Sequence, residues 1–208
     1  MLREEYRAAL AFLRGRRRML RLVTVCFLAG GLATAIAAWT AFSSDPALIG
    51  TLMEQVGELL DSKQIADETG QLDAFRLFLA NFWASGITLL YGGVPFLYLP
   101  LWPMALNAGM LGVVSAAALR LGIPPAALAA SLLPHGVFEI PALLISGTMG
   151  LTFCHSIVRR ILHLPEPLPL IVLIHELLRT TVLVVLPLLA LAAVIEAHVT
   201  GPIASLFL

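Results

Sequence analysis

Two ionisable side chains, His135 and Glu139, stand four residues apart inside a strongly apolar stretch of this 208-residue chain. Their surroundings read Leu133-Pro134-His135-Gly136-Val137-Phe138-Glu139-Ile140-Pro141-Ala142. On an intact helix, residues four apart share a face. An ionisable group within a membrane is costly and marks a functional site by default. Three readings compete. In the first, His135 and Glu139 bond to each other and to neighbouring helices as a polar core. In the second, they form a proton or substrate site in a permease. The third, a catalytic or metal site, has the least support, because two ligands are too few and no third His, Asp or Cys stands at supporting spacing. Pro134, Gly136 and Pro141 are expected to loosen the helix here and free backbone carbonyls. Irregular backbone at membrane depth survives only against protein or a water-filled cavity. The segment is therefore expected to face the interior of a helix bundle.

A second cluster reads His175-Glu176-Leu177-Leu178-Arg179. It is superficially like the zinc-protease helix motif, but Arg179 stands where the second histidine belongs, which removes the metal site. Glu176 and Arg179 can pair at i,i+3. Counted at ~1.5 Å per residue, Arg179 and Glu139 also reach comparable depths in their spans, roughly 17 and 22 Å, so an interhelical Glu139–Arg179 pair is an alternative. Asn107 is a further buried polar candidate. Glu196 and His198 fit the headgroup level near the outer end of the last span. Cys26 and Cys154 give neither a disulfide framework nor metal-ligand spacing. No catalytic set, metal or cofactor is expected, and no enzyme. Without a basic patch carrying interleaved aromatics, nucleic acid is not an expected partner.

The elements that position these residues follow from composition. The chain is 59% hydrophobic and only 12% charged, with a mean hydropathy of +0.92. A soluble domain is typically about half apolar and roughly a quarter charged. So few charges cannot cover a soluble fold of this size, whereas in a bilayer the lipid is the outer solvent. The fold class is therefore all-α: a polytopic transmembrane bundle of about five spans, forming a single membrane domain over residues 1–208.

Residues 1–19 form a basic helix on the cytoplasmic membrane surface. Seven arginines fall there or close by: Arg3, Arg7, Arg14, Arg16, Arg17, Arg18 and Arg21. Spans are expected over about 20–42, 75–99, 102–121, 126–154 and 168–198. Gly92-Gly93-Val94-Pro95 is expected to kink or break the second. The third carries Ala105, Ala108, Gly109, Gly112, Ser115 and Ala116, small residues at the spacing that lets helices approach closely in lipid. Residues 43–74 form the one extended polar stretch. Asp45-Pro46 is a helix start. Leu48, Ile49, Leu52, Met53, Val56, Leu59 and Leu60 then recur at helical spacing with Glu54, Glu58 and Asp61 on other faces, an amphipathic extracytoplasmic helix. It covers the bundle or docks a partner.

Five spans with the arginine-rich start inside put residues 43–74 and the C-terminus outside and Arg159 and Arg160 inside, in keeping with the positive-inside rule. Arg120 is the one dissenter. No internal repeat is evident, so there is no inverted-repeat transporter signature.

The chain resembles the stage II sporulation protein M family. The resemblance rests on Asn107-Ala108-Gly109 with Gly112, on Pro134-His135-Gly136-Val137-Phe138-Glu139-Ile140-Pro141-Ala142, and on Pro187-Leu188-Leu189-Ala190-Leu191-Ala192-Ala193-Val194-Ile195-Glu196-Ala197. Family-like order extends from about residue 78 to 202; the N-terminal third matches in layout. The resemblance implies a polytopic protein that anchors and organises cell-wall hydrolases, with many relatives in organisms that form no spores. It supports a multi-pass scaffold or assembly factor of the cell envelope in the cytoplasmic (inner) membrane. Its expected partners are the lipid bilayer and other envelope proteins, with self-association compatible. The alternative is a channel or permease whose pathway passes His135 and Glu139. The expected intramembrane polar core comprises His135, Gly136, Glu139, Pro141, Asn107, Arg179 and Glu196.

Overall fold

The computed structural model describes residues 2–62, 72–165 and 168–207. Among these the regular elements are helical. They are α1 (Leu2–Gly15), α2 (Arg17–Ser44), α3 (Ala47–Ser62), α4 (Ala74–Tyr91), α5 (Leu101–Arg120), α6 (Pro125–Ile161) and a long final helix, α7 (Leu170–Phe207). Four of them, α2, α5, α6 and α7, are long and apolar enough to cross a membrane. The part of the 43–74 stretch at 63–71 lies outside the described residues.

The helix boundaries correct several expectations. The second span does not reach Leu99: α4 stops at Tyr91, and the break falls at Gly92-Gly93-Val94-Pro95 as expected. Beyond Tyr91 the chain tightens into i→i−3 turns, with Gly92, Gly93 and Val94 donating to the carbonyls of Leu89, Leu90 and Tyr91. Pro95, which lacks an N–H and disfavours the helical region for the residue before it, prevents a restart. Phe96 and Tyr98 then take positive φ. Conversely, α6 runs unbroken through Pro134, Gly136 and Pro141 and on to Ile161. Each proline removes one backbone bond, and in an apolar surrounding a long helix tolerates this where neighbouring groups or small local adjustments re-satisfy the freed carbonyl.

The irregular backbone lies instead in α7. It widens to π-helical turns at Thr181–Val185 and again at Glu196–Thr200. Each turn sits just ahead of a proline, Pro187 and Pro202. A proline ring clashes with the carbonyl four residues earlier, and a widened turn relieves that clash.

The helices stop by local chemistry. Asp45 Oδ1 accepts the Ala47 N–H at 3.0 Å, the expected cap of α3. After α5, Ile123 N–H bonds Ala118 O and Gly122 N–H bonds Leu119 O, with Gly122 at φ 82°. This is the Schellman arrangement. α6 ends in the same pattern, Leu164 on Arg159 and His163 on Arg160, but with His163 in the left-handed position. Arg159 and Arg160 fold back onto the carbonyls of Pro165 and Leu168 and fasten the connection to α7.

The chain divides into two compact units. One comprises Met1–Cys26, Phe82–Met104 and Phe138–Leu189. Within it Met149, Leu173, Leu189 and Val185 are fully enclosed. Ser146, Thr148 and Thr152 are buried hydroxyls that donate to the carbonyls of Ala142, Leu144 and Thr148, so none reaches lipid unsatisfied. α1 lies along the start of α7, with Ala8, Ala11 and Phe12 lining a groove opposite Leu168, Val172, Glu176 and Arg179.

The other unit comprises Phe27–Asn81, Ala105–Val137 and Ala190–Leu208. In it α2 and α5 run parallel: Gly31 meets Ala108, Thr34 and Ala35 meet Gly112, and Trp39 meets Arg120. Arg120 donates to Trp39 O at 3.0 Å and lies 3.9 Å over its ring. A cation placed at the C-terminal ends of two parallel helices also favours both dipoles. The charge that dissents from the positive-inside pattern thus has a structural use. Ile49 and Leu52 of α3 pack on Ala38, Phe42, Ala116 and Ala117. Leu48 and Met53 remain exposed.

Candidate functional site

α6 presents His135 and Glu139 one turn apart, both half-buried, with Gly136 buried between them. His135 Nδ1 lies 3.2 Å from Thr200 Oγ1. Thr200 is only 8% exposed and sits at the end of the second π turn of α7. Its hydroxyl donates to Ile195 O at 3.3 Å, an i−5 bond that the widened turn makes available. Thr200 Oγ1 thus stands between Ile195 O and the His135 ring, and the imidazole tautomer sets the direction of the His135 bond.

Glu196 opens the same π turn and is also half-buried. On α7 Glu196 and Thr200 stand four residues apart, as His135 and Glu139 do on α6.

The remaining expected members of the polar core lie elsewhere. Arg179 does not reach Glu139. Its guanidinium bonds Glu176 on its own helix and Glu5 of α1 at 3.2 Å. The reason is register. α6 continues beyond Cys154 to Ile161, which carries Glu139 far from that end, while Arg179 sits in the first turns of α7. Asn107 is exposed rather than buried. α5 turns Ala108, Gly112 and Ala116 toward α2, and Asn107 is rotated ~100° from Ala108. Pro141 is exposed too, as is His175. Cys154 is buried and donates to Val94 O at 3.4 Å, and Cys26 is exposed.

Sequence spacing missed Thr200. The available signal was Pro202: a proline in an apolar helix marks where the ladder must open, and Glu196 and Thr200 flank that opening.

The fold and site define an all-helical protein with helices of membrane-spanning length and composition and a His135–Thr200 contact between two of them. The chain belongs to the stage II sporulation protein M family, whose sequence model matches residues 23–201. No curated protein and no solved structure matches it.

Proposed function

We propose that this chain is a multi-pass scaffold or assembly factor of the cytoplasmic membrane that organises cell-envelope proteins and is not itself an enzyme. The observation that carries the reading is the division of labour on α3. Ile49 and Leu52 hold it to the ends of α2 and α5. Leu48 is 42% and Met53 38% exposed, with Glu54 beside them. Apolar residues left on the outer face of this helix are available to a docking partner. Family membership supports cell-wall hydrolases as the partners.

The double variant Leu48→Asp/Met53→Asp is expected to insert and fold normally but to lose co-purification with those hydrolases, by roughly 10-fold if the two residues anchor the contact. Undiminished co-purification defeats the scaffold reading. A channel or permease is the second reading, favoured by the polar cluster at His135. It requires instead that Glu139→Gln abolish flux in proteoliposomes while leaving co-purification intact.

The parallel packing of α2 and α5 bears on topology. Two parallel helices that both cross a bilayer oblige the chain between them to recross it once. α4 is the helix available, although it is shorter than the other four. The reading is therefore five crossings. Docking of α1 on the start of α7 puts the arginine-rich N-terminus at the same end as Arg159 and Arg160. By the positive-inside rule that end is cytoplasmic and the C-terminus is outside. In a Cys26→Ser background, an impermeant thiol reagent applied to intact cells is expected to label Ser205→Cys and to spare His163→Cys. The reverse pattern overturns the orientation, and labelling of both from outside overturns the crossing count.

A further inference from the structure

We propose that Arg14, Arg17, Arg18 and Arg21, at the turn between α1 and α2, bind the headgroup phosphates of anionic phospholipids, and that the start of α2 receives the acyl chains of the same molecules. Residues 14–21 hold five arginines, and no acidic residue occurs between Glu5 and Asp45. All of them lie in the Met1–Cys26 segment of one compact unit. α1 ends at Gly15 and α2 begins at Arg17, so a single residue joins them, with Arg16 N–H on Leu13 O at 2.9 Å. This tight turn gathers the last turn of α1 and the first of α2 in one place. Arg14, Arg17, Arg18 and Arg21 are exposed there, and among the described residues none of them pairs with a carboxylate. The neighbouring cations are already committed. Arg16 lies 4.9 Å over the Phe12 ring, and Arg159 and Arg160 donate to the carbonyls of Pro165 and Leu168.

Folding alone does not favour these charges. Arg17 and Arg18 stand in the first turn of α2, where the helix dipole disfavours cations and no acid offsets them. The arginines also repel one another. A bound anion relieves both costs, and the arginine fork matches phosphate oxygens two at a time. The occupant follows from what the same face of α2 does next. Arg18, Leu22 and Val25 stand at i, i+4 and i+7, and Arg21 and Val25 at i, i+4, so they share one side of the helix. Leu22 is 60% and Val25 62% exposed. Cation therefore gives way to aliphatic surface within ~6 Å along the axis. A phospholipid presents phosphate and then hydrocarbon in that order. Nucleic acid or an acidic protein matches the charge alone and leaves Leu22 and Val25 against a polar surface. This inference is independent of whether the protein acts as a scaffold or as a channel, and of which end of the helices is cytoplasmic.

Cys26 provides the probe. It is exposed one turn beyond Leu22, while Cys154 is buried. The full-length protein is labelled at Cys26 with a fluorophore and reconstituted in equimolar phosphatidylcholine and phosphatidylglycerol, with either lipid in turn carrying bromine on its acyl chains as quencher. Brominated phosphatidylglycerol is expected to quench more strongly, by a ratio that corresponds to ~5-fold enrichment or more, the scale of one arginine at an anionic surface. Raising the ionic strength to ~0.5 M should narrow the difference. Arg17→Gln/Arg18→Gln/Arg21→Gln is expected to bring the two lipids level. Arg3→Gln/Arg7→Gln, at the other end of α1, is expected to leave the enrichment unchanged. Circular dichroism and gel filtration establish that each variant folds. An unchanged ratio in the folded triple variant overturns the proposal. An equal loss in Arg3→Gln/Arg7→Gln assigns the effect to net charge and overturns it too. Displacement of the lipid by millimolar inorganic phosphate assigns the arginines to a soluble anion and overturns the lipid reading. If the triple variant does not insert, the parent protein decides: equal quenching by the two lipids overturns the proposal.

Discussion

Gly112→Val is expected to abolish accumulation of folded protein, while Gly109→Ala, one turn away on the same helix, is expected to be neutral to slightly stabilising. A Cβ on Gly112 would lie 2.3 Å from Gly31 O, 2.4 Å from Thr34 Oγ1 and 2.8 Å from Ala35 N. Two of these are backbone atoms of α2, which cannot swing aside as a side-chain tip can. The whole helix must back away from α5, and the contacts of Ala108 with Gly31 and of Arg120 with Trp39 go with it. Overpacking a tight site costs about 1–3 kcal/mol when side chains can absorb it, and more when they cannot. A loss of ~3 kcal/mol or more is expected, a large part of the ~5–15 kcal/mol that keeps an ordinary domain folded. At Gly109 an added Cβ meets only Thr34 Cγ2 at 3.9 Å, ordinary contact. The gain in helix propensity from Gly to Ala, up to ~1 kcal/mol, is then uncompensated by any clash. The same logic makes Gly92→Ala severe, since its Cβ would come 2.2 Å from Gly150 O. Monodisperse yield and thermal unfolding in detergent check all three. A folded Gly112→Val with an unchanged midpoint would show that α2 and α5 do not pack as described.

These glycines also show how far the sequence could be read. The small-residue pattern of α5 announced a close helix approach, and the apolar runs announced the helices themselves, because both follow from local spacing. What spacing cannot tell is which member of a pattern touches a neighbour: Gly112 does so tightly and Gly109 hardly at all. The candidate site divides along the same line. His135 and Glu139 were visible because they stand one turn apart in an apolar run, and Glu196 because it is a charge near the end of another. That Thr200 faces His135 depends on a π turn, and a π turn shifts every later residue around the helix axis. The position of Arg179 was misjudged for a related reason. Its depth was counted from the apparent end of an apolar run at Cys154, whereas the helix continues for two more turns through residues that are polar but still helical.

The second large effect concerns that arginine. Arg179→Glu is expected to release α1 from α7 and to destabilise the protein by ~3–5 kcal/mol, the usual result of leaving a largely buried charge without its partner. The Arg179 side chain is 15% exposed and that of Glu176 17%, so water does little to screen either. Glu5 is half exposed, and its share of the energy is correspondingly small. Its importance is geometric: it ties α1 to the start of α7, alongside the packing of Phe12 and the fully buried Ala9. With glutamate at 179, three carboxylates face one another across the groove and repel. Limited trypsin digestion is the direct measure, because α1 carries Arg3, Arg7 and Arg14. Cleavage at these sites should accelerate in Arg179→Glu, with a matching fall in the thermal midpoint. The exchange Glu176→Arg/Arg179→Glu restores the i,i+3 pair with its order reversed and should recover most of the stability. Because Glu5 then still faces a carboxylate at 179, full protection of α1 should return only when Glu5→Lys is added. Recovery of α1 protection by the double exchange alone would show that the helix is held by its apolar contacts and not by this charge.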